Sequence, residues 1–534
     1  MSGKSKTIAI ITPILFSLTL IIGILIGNSY SKLNNKSLTL YPNTDKLNAV
    51  LSYIEEEYVD TISREELIEE AIPEILKKLD PHSIYIPKQD MSEMNEPLEG
   101  NFDGIGIQFN IQNDTIMVVN TIKGGPSERM GIMAGDRIVE VNDKIVAGIK
   151  IKSDDVVKKL KGPSGSKVKV GISRKGVKKI LNFNIVRDKI PLESVDIAYM
   201  LTKDIGYIKV NKFARTTYEE FINAVADLKA KGMKKIVVDL RGNSGGYMDA
   251  ATNVIDEFLE KGKLIVYTQG RSRPINKTIA SSRGALVHDN VAILIDEWSA
   301  SASEIMAGAI QDNDRGVIIG RRSFGKGLVQ EPTYFSDGSG LRLTIARYYT
   351  PTGRCIQKSY KDGYDSYYQD IGSRYMNGEF SATDSIDFPD SLKFYTKEGK
   401  VVYGGGGIMP DYFIPVDTQG VTFYLTDVVN HGYIYSYAFK YTDENRKVLN
   451  KFKTYQQLDN YLNKQNLLND FIEYAEKNGI SGNDEDIAKS KKILLTHLKG
   501  FIVRNIFDDE GFYPIIHRTD KTIKKAITVL NNEK

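Results

Sequence analysis

Apolar positions recur along this chain with several different periods, and each period marks a different kind of structure. From Thr7 to Tyr30 the run is nearly continuous and holds no charged residue. A helix of that length spans the hydrocarbon core of a bilayer, which takes about 20 residues. Lys4 and Lys6 lead it and Lys32 follows, so the leading end is expected in the cytoplasm and the remainder outside, in the periplasm or cell envelope. A cleaved signal peptide is the alternative, but no Ala-x-Ala-like site follows the run.

Residues 44–80 change to helical spacing. Leu47, Leu51, Ile54 and Tyr58, then Leu67, Ala71, Ile75 and Leu79, predict two amphipathic helices whose stripes are packing surfaces. Asp80-Pro81-His82-Ser83 ends the second, because proline disfavours helical geometry in the residue before it; His82 reads as structural. From about 97 to 190 the pattern is short β-rich runs broken by glycine: Gly104 to Phe109, Ile116 to Asn120, Arg137 to Asn142 and Lys167 to Ser173, with one helix at Ser153 to Leu160.

Between 205 and 350 strands alternate with helices. Gly206 to Val210 precedes a helix opened by a capping box, Thr217-x-x-Glu220. Strands follow at Ile236 to Leu240, Leu264 to Thr268, Val291 to Ile295 and Val317 to Ile319, with helices through Val254 and Phe258 and over 302–312, then two β runs near 328–350. Such alternation predicts an α/β core. The Tyr- and Ser-rich stretch 359–390 reads as an insertion or long loop without assigned function. Beyond 404–411 the chain is helical again, with Thr454-x-x-Gln457 capping a helix that carries Leu458, Leu462, Phe471 and Ala475, and a second helix bearing Ile487, Leu494, Leu498, Phe501 and Ile502. The predicted organisation is a stub, anchor and linker (1–43), a helical region (44–96), a mostly-β domain (97–190), an α/β core (191–415) and a C-terminal helical region (416–534).

Composition narrows the chemistry. With 41% hydrophobic and 26% charged residues the 534-residue chain can bury a full core, and a net charge of +3, spread rather than blocked, gives no footprint for nucleic acid. The single cysteine, Cys355, rules out an intrachain disulfide and a cysteine-rich metal site. The five histidines, His82, His288, His431, His497 and His517, never fall at ligand spacing, so no catalytic metal is expected.

Three segments remain that can do chemistry. Ser299-Ala300-Ser301-Ala302-Ser303-Glu304 joins a buried strand to a helix, where unpaired backbone N–H groups converge and can stabilise an oxyanion. The plain alternative is that Ser301-x-x-Glu304 is only a capping box. Ser323-Phe324-Gly325-Lys326-Gly327 offers a lysine flanked by glycines; burial lowers a lysine's pKa, and a neutral amine can replace histidine as the base for a serine. Asp239-Leu240-Arg241-Gly242-Asn243-Ser244-Gly245-Gly246 is a glycine-rich turn after a buried strand, able to bare its N–H groups to a ligand.

Taken together these segments resemble the C-terminal processing peptidase, or tail-specific protease, family, over roughly residues 45–415. In that family a serine of a Ser-Ala-Ser-Ala-Ser-Glu segment pairs with a lysine of Phe-Gly-Lys-Gly 25 positions later, the separation of Ser301 from Lys326 here. The resemblance implies a serine endopeptidase of that fold, a β/α spiral core of the crotonase/ClpP kind, with Gln330 orienting Lys326 and with Ala302, Gly245 and Gly246 around the oxyanion. It also implies that the β-rich segment is an inserted PDZ domain, whose Gly104-Ile105-Gly106-Ile107 loop binds the C-terminal carboxylate of a protein or peptide substrate while the next strand pairs with its tail. Exposed stripes at both ends of the chain are compatible with a homodimer, and Cys355 reads as an inert small residue. Two competing readings stand beside this one: a PDZ peptide-sensing scaffold with an inactive core, and an acyl-CoA enzyme on a related spiral, which export disfavours.

Overall fold

The structure, a computed structural model, describes residues 16–26, 46–382, 386 and 389–532. The chain divides between Leu79 and Asp80 into two compact units. In the first, residues 16–26 form a helix with apolar side chains exposed, Phe16 and Leu25 among them. Among the described residues no helix is long and apolar enough to cross a membrane; the rest of the expected anchor lies outside the described residues. The next two helices, Lys46–Glu57 and Arg64–Leu76, are joined by Arg64, which donates to Ser52 Oγ at 3.1 Å and Asn48 Oδ1 at 3.0 Å. Their stripes are less covered than their spacing suggests: Leu51 and Leu76 are buried, whereas Leu47, Tyr58, Ile75 and Leu79 are exposed.

In the second unit an antiparallel ribbon, Asn101–Gly104 against Asp188–Pro191, carries the β-rich segment out of the core and back. Inside the ribbon the strands Ile107–Gln112, Thr115–Thr121, Arg137–Val141, Lys167–Ser173 and Leu181–Val186 form one antiparallel sheet in that spatial order, with Lys144–Ile145 paired to the third. Their alternate apolar residues, Ile116, Val118, Ile138, Val170, Ile172 and Ile185, close a core of their own with Val156 and Leu160 from the helix Ser153–Leu160.

The α/β core centres on a six-stranded sheet in the order Val195–Met200, Ile205–Val210, Lys235–Asp239, Asn290–Ile295, Val317–Gly320, Tyr412–Phe413; the first pair is antiparallel and the rest parallel. Its parallel strands follow chain order, although the connections from Asp239 to Asn290 and from Gly320 to Tyr412 are long and carry strands of a second sheet. The helices Thr217–Ala230, Met248–Asp256 and Ala302–Asp312 cover one face in a continuous apolar cluster with Ile208, Val238 and Ile293. A second sheet holds Ile84–Ile86, Leu264–Gln269, Asn276–Ile279, Leu328–Tyr334 and Gly340–Tyr349. The C-terminal helices Phe423–Asn430, Tyr433–Leu449, Tyr455–Leu462 and Leu467–Lys477 pack along the long helix Asp484–Ile516, which breaks at Phe507 and Asp508, and a terminal helix, Lys521–Asn532, follows it.

Two expectations change. The box Thr217-x-x-Glu220 does not form: Thr217 Oγ1 accepts from Ala214 N–H at 2.8 Å, and Glu220 Oε2 is taken by Ser194 N–H at 2.6 Å and Val195 N–H at 2.9 Å. A carboxylate that can satisfy two strand-entry amides outcompetes a local cap. The stretch read as a loop, 359–390, contains a helix, Tyr364–Met376, with Tyr367 and Arg374 buried.

Candidate active site

The three serines of Ser299-Ala300-Ser301-Ala302-Ser303 have different fates. Ser299 is fully buried, and its Oγ donates to Leu240 O at 2.8 Å and accepts from Asp296 N–H at 2.9 Å. Ser303 is fully buried too, its Oγ donating to Asn243 O at 2.9 Å. Both staple the strand-to-helix turn onto the glycine-rich loop. Ser301 alone is partly exposed, at φ 54° and ψ −113°, a conformation that costs a non-glycine residue of order 1–3 kcal/mol. That twist presents the serine at the mouth of the helix Ala302–Asp312, all of whose residues are buried.

The glycine-rich loop is set against the turn by backbone contacts. Asn243, fully buried, donates to Val210 O at 2.9 Å, and its carbonyl accepts from Ala300 N–H at 3.0 Å. Gly245 has φ +100°, and a methyl group there would meet Ser301 Cβ and Ala300 O at 2.8 Å and Ala302 N at 3.0 Å. At Gly246, with φ +149°, a methyl would fall 2.1 Å from Phe213 O. Only glycine permits this approach. The N–H of Gly245 donates to Asn243 Oδ1 at 2.8 Å, so it is already engaged; among the described residues the N–H groups of Ala302 and Gly246 have no acceptor. The geometry therefore separates two glycines that the sequence left equivalent.

One side chain draws the serine and lysine segments together. Glu304, fully buried at the third position of the helix, accepts through Oε2 from the N–H of Ser301 and the N–H of Lys326, each at 2.8 Å. Its Oε1 accepts from Gly325 N–H at 2.7 Å and Ser323 Oγ at 2.5 Å. Burial pushes its pKa up to about 7, against the pull of these donors. The capping box read from the sequence is present, but its carboxylate also spans to the lysine loop. Tyr348, buried on the second sheet, repeats the connection from the other side: its one hydroxyl proton lies between Lys326 O, at 2.5 Å, and Ser301 O, at 3.1 Å.

The rest of the lysine loop is tied down residue by residue. Phe324 N–H donates to Ser299 O at 3.0 Å, Gly327 N–H to Gln357 Oε1 at 2.8 Å, and Gly325 O accepts from Lys358 N–H at 3.0 Å. Burial lowers the Lys326 pKa; the charge of Arg342 acts in the same direction, and those of Glu304 and Asp80 oppose it. The expected partner Gln330 lies on the following strand, where its amide donates to Thr344 Oγ1 at 3.2 Å, and Thr344 donates to Asp80 Oδ1 at 3.0 Å. Among the described residues no hydrogen bond joins Gln330 to Lys326. The structure therefore interposes Thr344 and brings in Asp80, which the sequence did not single out.

His82 is closer to the chemistry than its place in a turn implied. Its Nε2 pairs with Tyr367 Oη at 2.8 Å, and burial, with the Lys326 charge second, lowers its pKa to about 3, so it is neutral at ordinary pH. Tyr367 belongs to the helix inside the supposed loop and packs edge-on against Phe324, the residue two before Lys326, with ring centroids 5.8 Å apart. Arg374, from the same helix, donates to Ser323 O at 3.1 Å and Arg322 O at 2.7 Å. The segment is thus a buttress for the lysine loop. Buried Tyr and Arg in a polar stretch were the available signal, and without a partner in the sequence that signal is silent.

In the PDZ-like sheet, Ile107–Gln112 is an edge strand, paired with Thr115–Thr121 on one side only. Gly106 stands at φ +72°, Ile105 is buried, and among the described residues the N–H groups of Ile105 and Gly106 have no acceptor. Gly104 ends the ribbon, and Ile107 begins the strand whose apolar residues Ile107, Phe109 and Ile111 flank the domain core.

Comparison with known proteins agrees with this anatomy. The model for peptidase family S41 matches residues 204–363, the PDZ domain model matches 104–185, and a family of unknown function (DUF8443) matches 424–508. The carboxy-terminal-processing protease of Bartonella bacilliformis is 37% identical over 338 residues, 62% of this chain and 77% of the relative. The carboxy-terminal processing protease CtpA of Bacillus subtilis is 35% identical over 354 residues, 66% and 74% of the two chains. A solved photosystem II D1 C-terminal processing protease aligns over 70% of this chain and 87% of its own, at 24% identity and a TM-score of 0.37. A serine set at a helix mouth beside a glycine-rich loop, in a core that also carries a PDZ domain, is thus matched by sequence along most of its length: the chain belongs to the carboxy-terminal-processing proteases of peptidase family S41, which are serine-type peptidases.

Proposed function

We propose that Ser301 is the nucleophile and Lys326 its general base, in an endopeptidase that takes substrates by their free C-terminus. The observation that carries this reading is Glu304 Oε2, which receives the backbone N–H of both residues and so holds them at one point. Neutral Lys326 removes the Ser301 hydroxyl proton as Oγ adds to the scissile carbonyl, and passes that proton to the departing amine. Ala302 N–H and Gly246 N–H hold the oxyanion; Gly245 contributes its missing side chain. Water, deprotonated by the same amine, then releases the acyl group, and no cofactor takes part. Gln330 acts on Lys326 indirectly, donating to Thr344, which donates to Asp80, whose charge favours the protonated amine of Lys326.

The open edge of Ile107–Gln112 supports substrate capture: an extended tail adds as a further strand while the N–H groups of Ile105 and Gly106 bind its carboxylate. The uncharged run Thr7 to Tyr30 supports tethering to a membrane with the catalytic part outside the cytoplasm.

The test is cleavage of an unfolded protein with an apolar C-terminus, together with labelling by a serine-directed phosphonate. Ser301→Ala and Lys326→Ala each lower kcat by about 10⁴-fold or more, and Ser301→Ala loses the label. Because the base must be neutral and the Glu304 carboxylate must receive its four donors, kcat/KM rises with pH through two ionisations, one near 7 from Glu304 and one from Lys326 below the ordinary lysine value of 10.5. Labelling that survives Ser301→Ala would refute the assignment.

A further inference from the structure

The peptidase match ends at residue 363, and a helical region with its own apolar clusters follows. The chain then returns to the protease. The terminal helix Lys521–Asn532 lays Ile523, Ala526, Val529 and Leu530 on the face of the core sheet opposite the helix Ala302–Asp312, among Ile205, Tyr207, Val237, Leu294 and Ile319. Asp520 stands at its start. Its Oδ1 caps the helix, accepting from Thr522 N–H at 2.8 Å and Ile523 N–H at 3.1 Å, and it accepts through Oδ2 from Arg241 Nη1 at 2.8 Å.

Arg241 is the residue from which the loop Gly242-Asn243-Ser244-Gly245-Gly246 rises. Its guanidinium is gripped on the other side by Asp239, with Nη2 donating at 2.6 Å; its own N–H donates to Asp239 Oδ1 at 2.9 Å, and its carbonyl accepts from Lys209 Nζ. Asp239 is fully buried and held well below the usual carboxylate range by Arg241 and Lys209 despite that burial; Lys209 and Arg241 thus face two carboxylates, Asp239 and Asp520. The second carboxylate comes from beyond the helical region. Without it one arm of the guanidinium, four-fifths covered, has lost its partner.

We propose that Asp520 is a positioning residue for hydrolysis: through Arg241 it fixes the base of the 242–246 loop, and so the place of the Gly246 N–H opposite Ser301. The C-terminal segment then completes the oxyanion site. The proposal rests on the reading of that loop as an oxyanion loop, and it extends the working protease past the point where its recognisable motifs stop.

Asp520→Asn in the full chain separates the two jobs of the residue, since asparagine caps a helix about as well as aspartate but gives Arg241 no anion. Three quantities are compared with wild type: kcat and KM on the unfolded protein substrate, the affinity of a peptide aldehyde whose hemiacetal on Ser301 mimics the tetrahedral intermediate, and Tm. The expected result is kcat down about tenfold, KM within about twofold, and aldehyde affinity down about tenfold in step, with Tm near wild type and partial recovery in Asp520→Glu. A kcat within about twofold of wild type overturns the proposal. So does a kcat loss that tracks a falling Tm while aldehyde affinity is unchanged, which marks a purely structural role. If wild type fails to label at Ser301, the underlying reading falls and takes the proposal with it, and that outcome is visible before any variant is made.

Discussion

The protease site and the PDZ domain are built on opposite plans. Around Ser301 and Lys326 each backbone N–H from Phe324 to Gly327 has a named acceptor, and a single buried carboxylate serves four donors from two segments. The PDZ domain closes its own apolar cluster, drawn entirely from residues within 105–185. It is fastened to the rest by the ribbon Asn101–Gly104 with Asp188–Pro191 and by polar contacts such as Lys161 with Glu96 and Arg137 and Lys175 with Asp443. Hydrolysis needs groups held to within a fraction of an ångström, whereas peptide capture needs an unpaired strand edge and a few free N–H groups. The first region is over-determined; the second is self-contained and attached at its margins.

The sharpest way to break that contrast is to loosen the over-determined side. Glu304→Gln keeps the shape of the side chain but replaces one acceptor oxygen with an amide nitrogen, which confronts N–H donors where it formerly received them. Two of the four donors then lose their acceptor inside a fully buried site, at about 1–3 kcal/mol each. Ser301 and Lys326 separate, and kcat falls about a hundredfold. Steady-state cleavage with phosphonate labelling reads this. Unchanged labelling and turnover would mean that the carboxylate is a helix cap and nothing more.

On the PDZ side the expected effect is smaller and of another kind. If the Ile105 and Gly106 N–H groups receive the substrate's C-terminal carboxylate, as proposed, a substrate ending in a carboxamide raises KM about tenfold while kcat at saturation holds. Cleavage of matched acid and amide substrates measures it. An equal fall in kcat would show that carboxylate binding reaches the catalytic loops, and the two regions could not then be regarded as separate plans.

How much of this was written in the chain follows the same division. Strand and helix periods were strong enough to place the helix Ser153–Leu160 and the strand Lys167–Ser173 at their observed limits. The segments of Ser301 and Lys326 stood out because they resemble short family motifs at a fixed separation, and the structure brings their backbones together on Glu304. The supports did not stand out. Tyr348, Tyr367, Asp80 and Asp520 reach the site from four other places in the chain, and a buried tyrosine or aspartate has no local signature until its partner is beside it. What the motif did not reveal is the work of Ser301's neighbours, Ser299 and Ser303, whose buried hydroxyls pin the turn to Leu240 O and Asn243 O. The Thr217 box failed for a related reason, since Glu220 found better donors across the sheet than along its own helix.

The smallest expected effect is the most direct measure of how the PDZ domain is attached. Asp443, in the helix Tyr433–Leu449, faces Arg137 at 3.7 Å and Lys175 at 3.6 Å, and the two cations are partly solvated. Ion pairs of that exposure contribute about 0–1 kcal/mol and fade with salt. Asp443→Ala is therefore expected to leave kcat within about twofold and to lower stability by less than about 1 kcal/mol, a difference that disappears in high salt. Denaturant titration at low and high ionic strength, alongside turnover, resolves both. Were this one change at the margin to cost as much activity as Glu304→Gln, the domain would be part of the catalytic frame, and the contact between the helical region and the PDZ sheet would have to be regarded as a working joint.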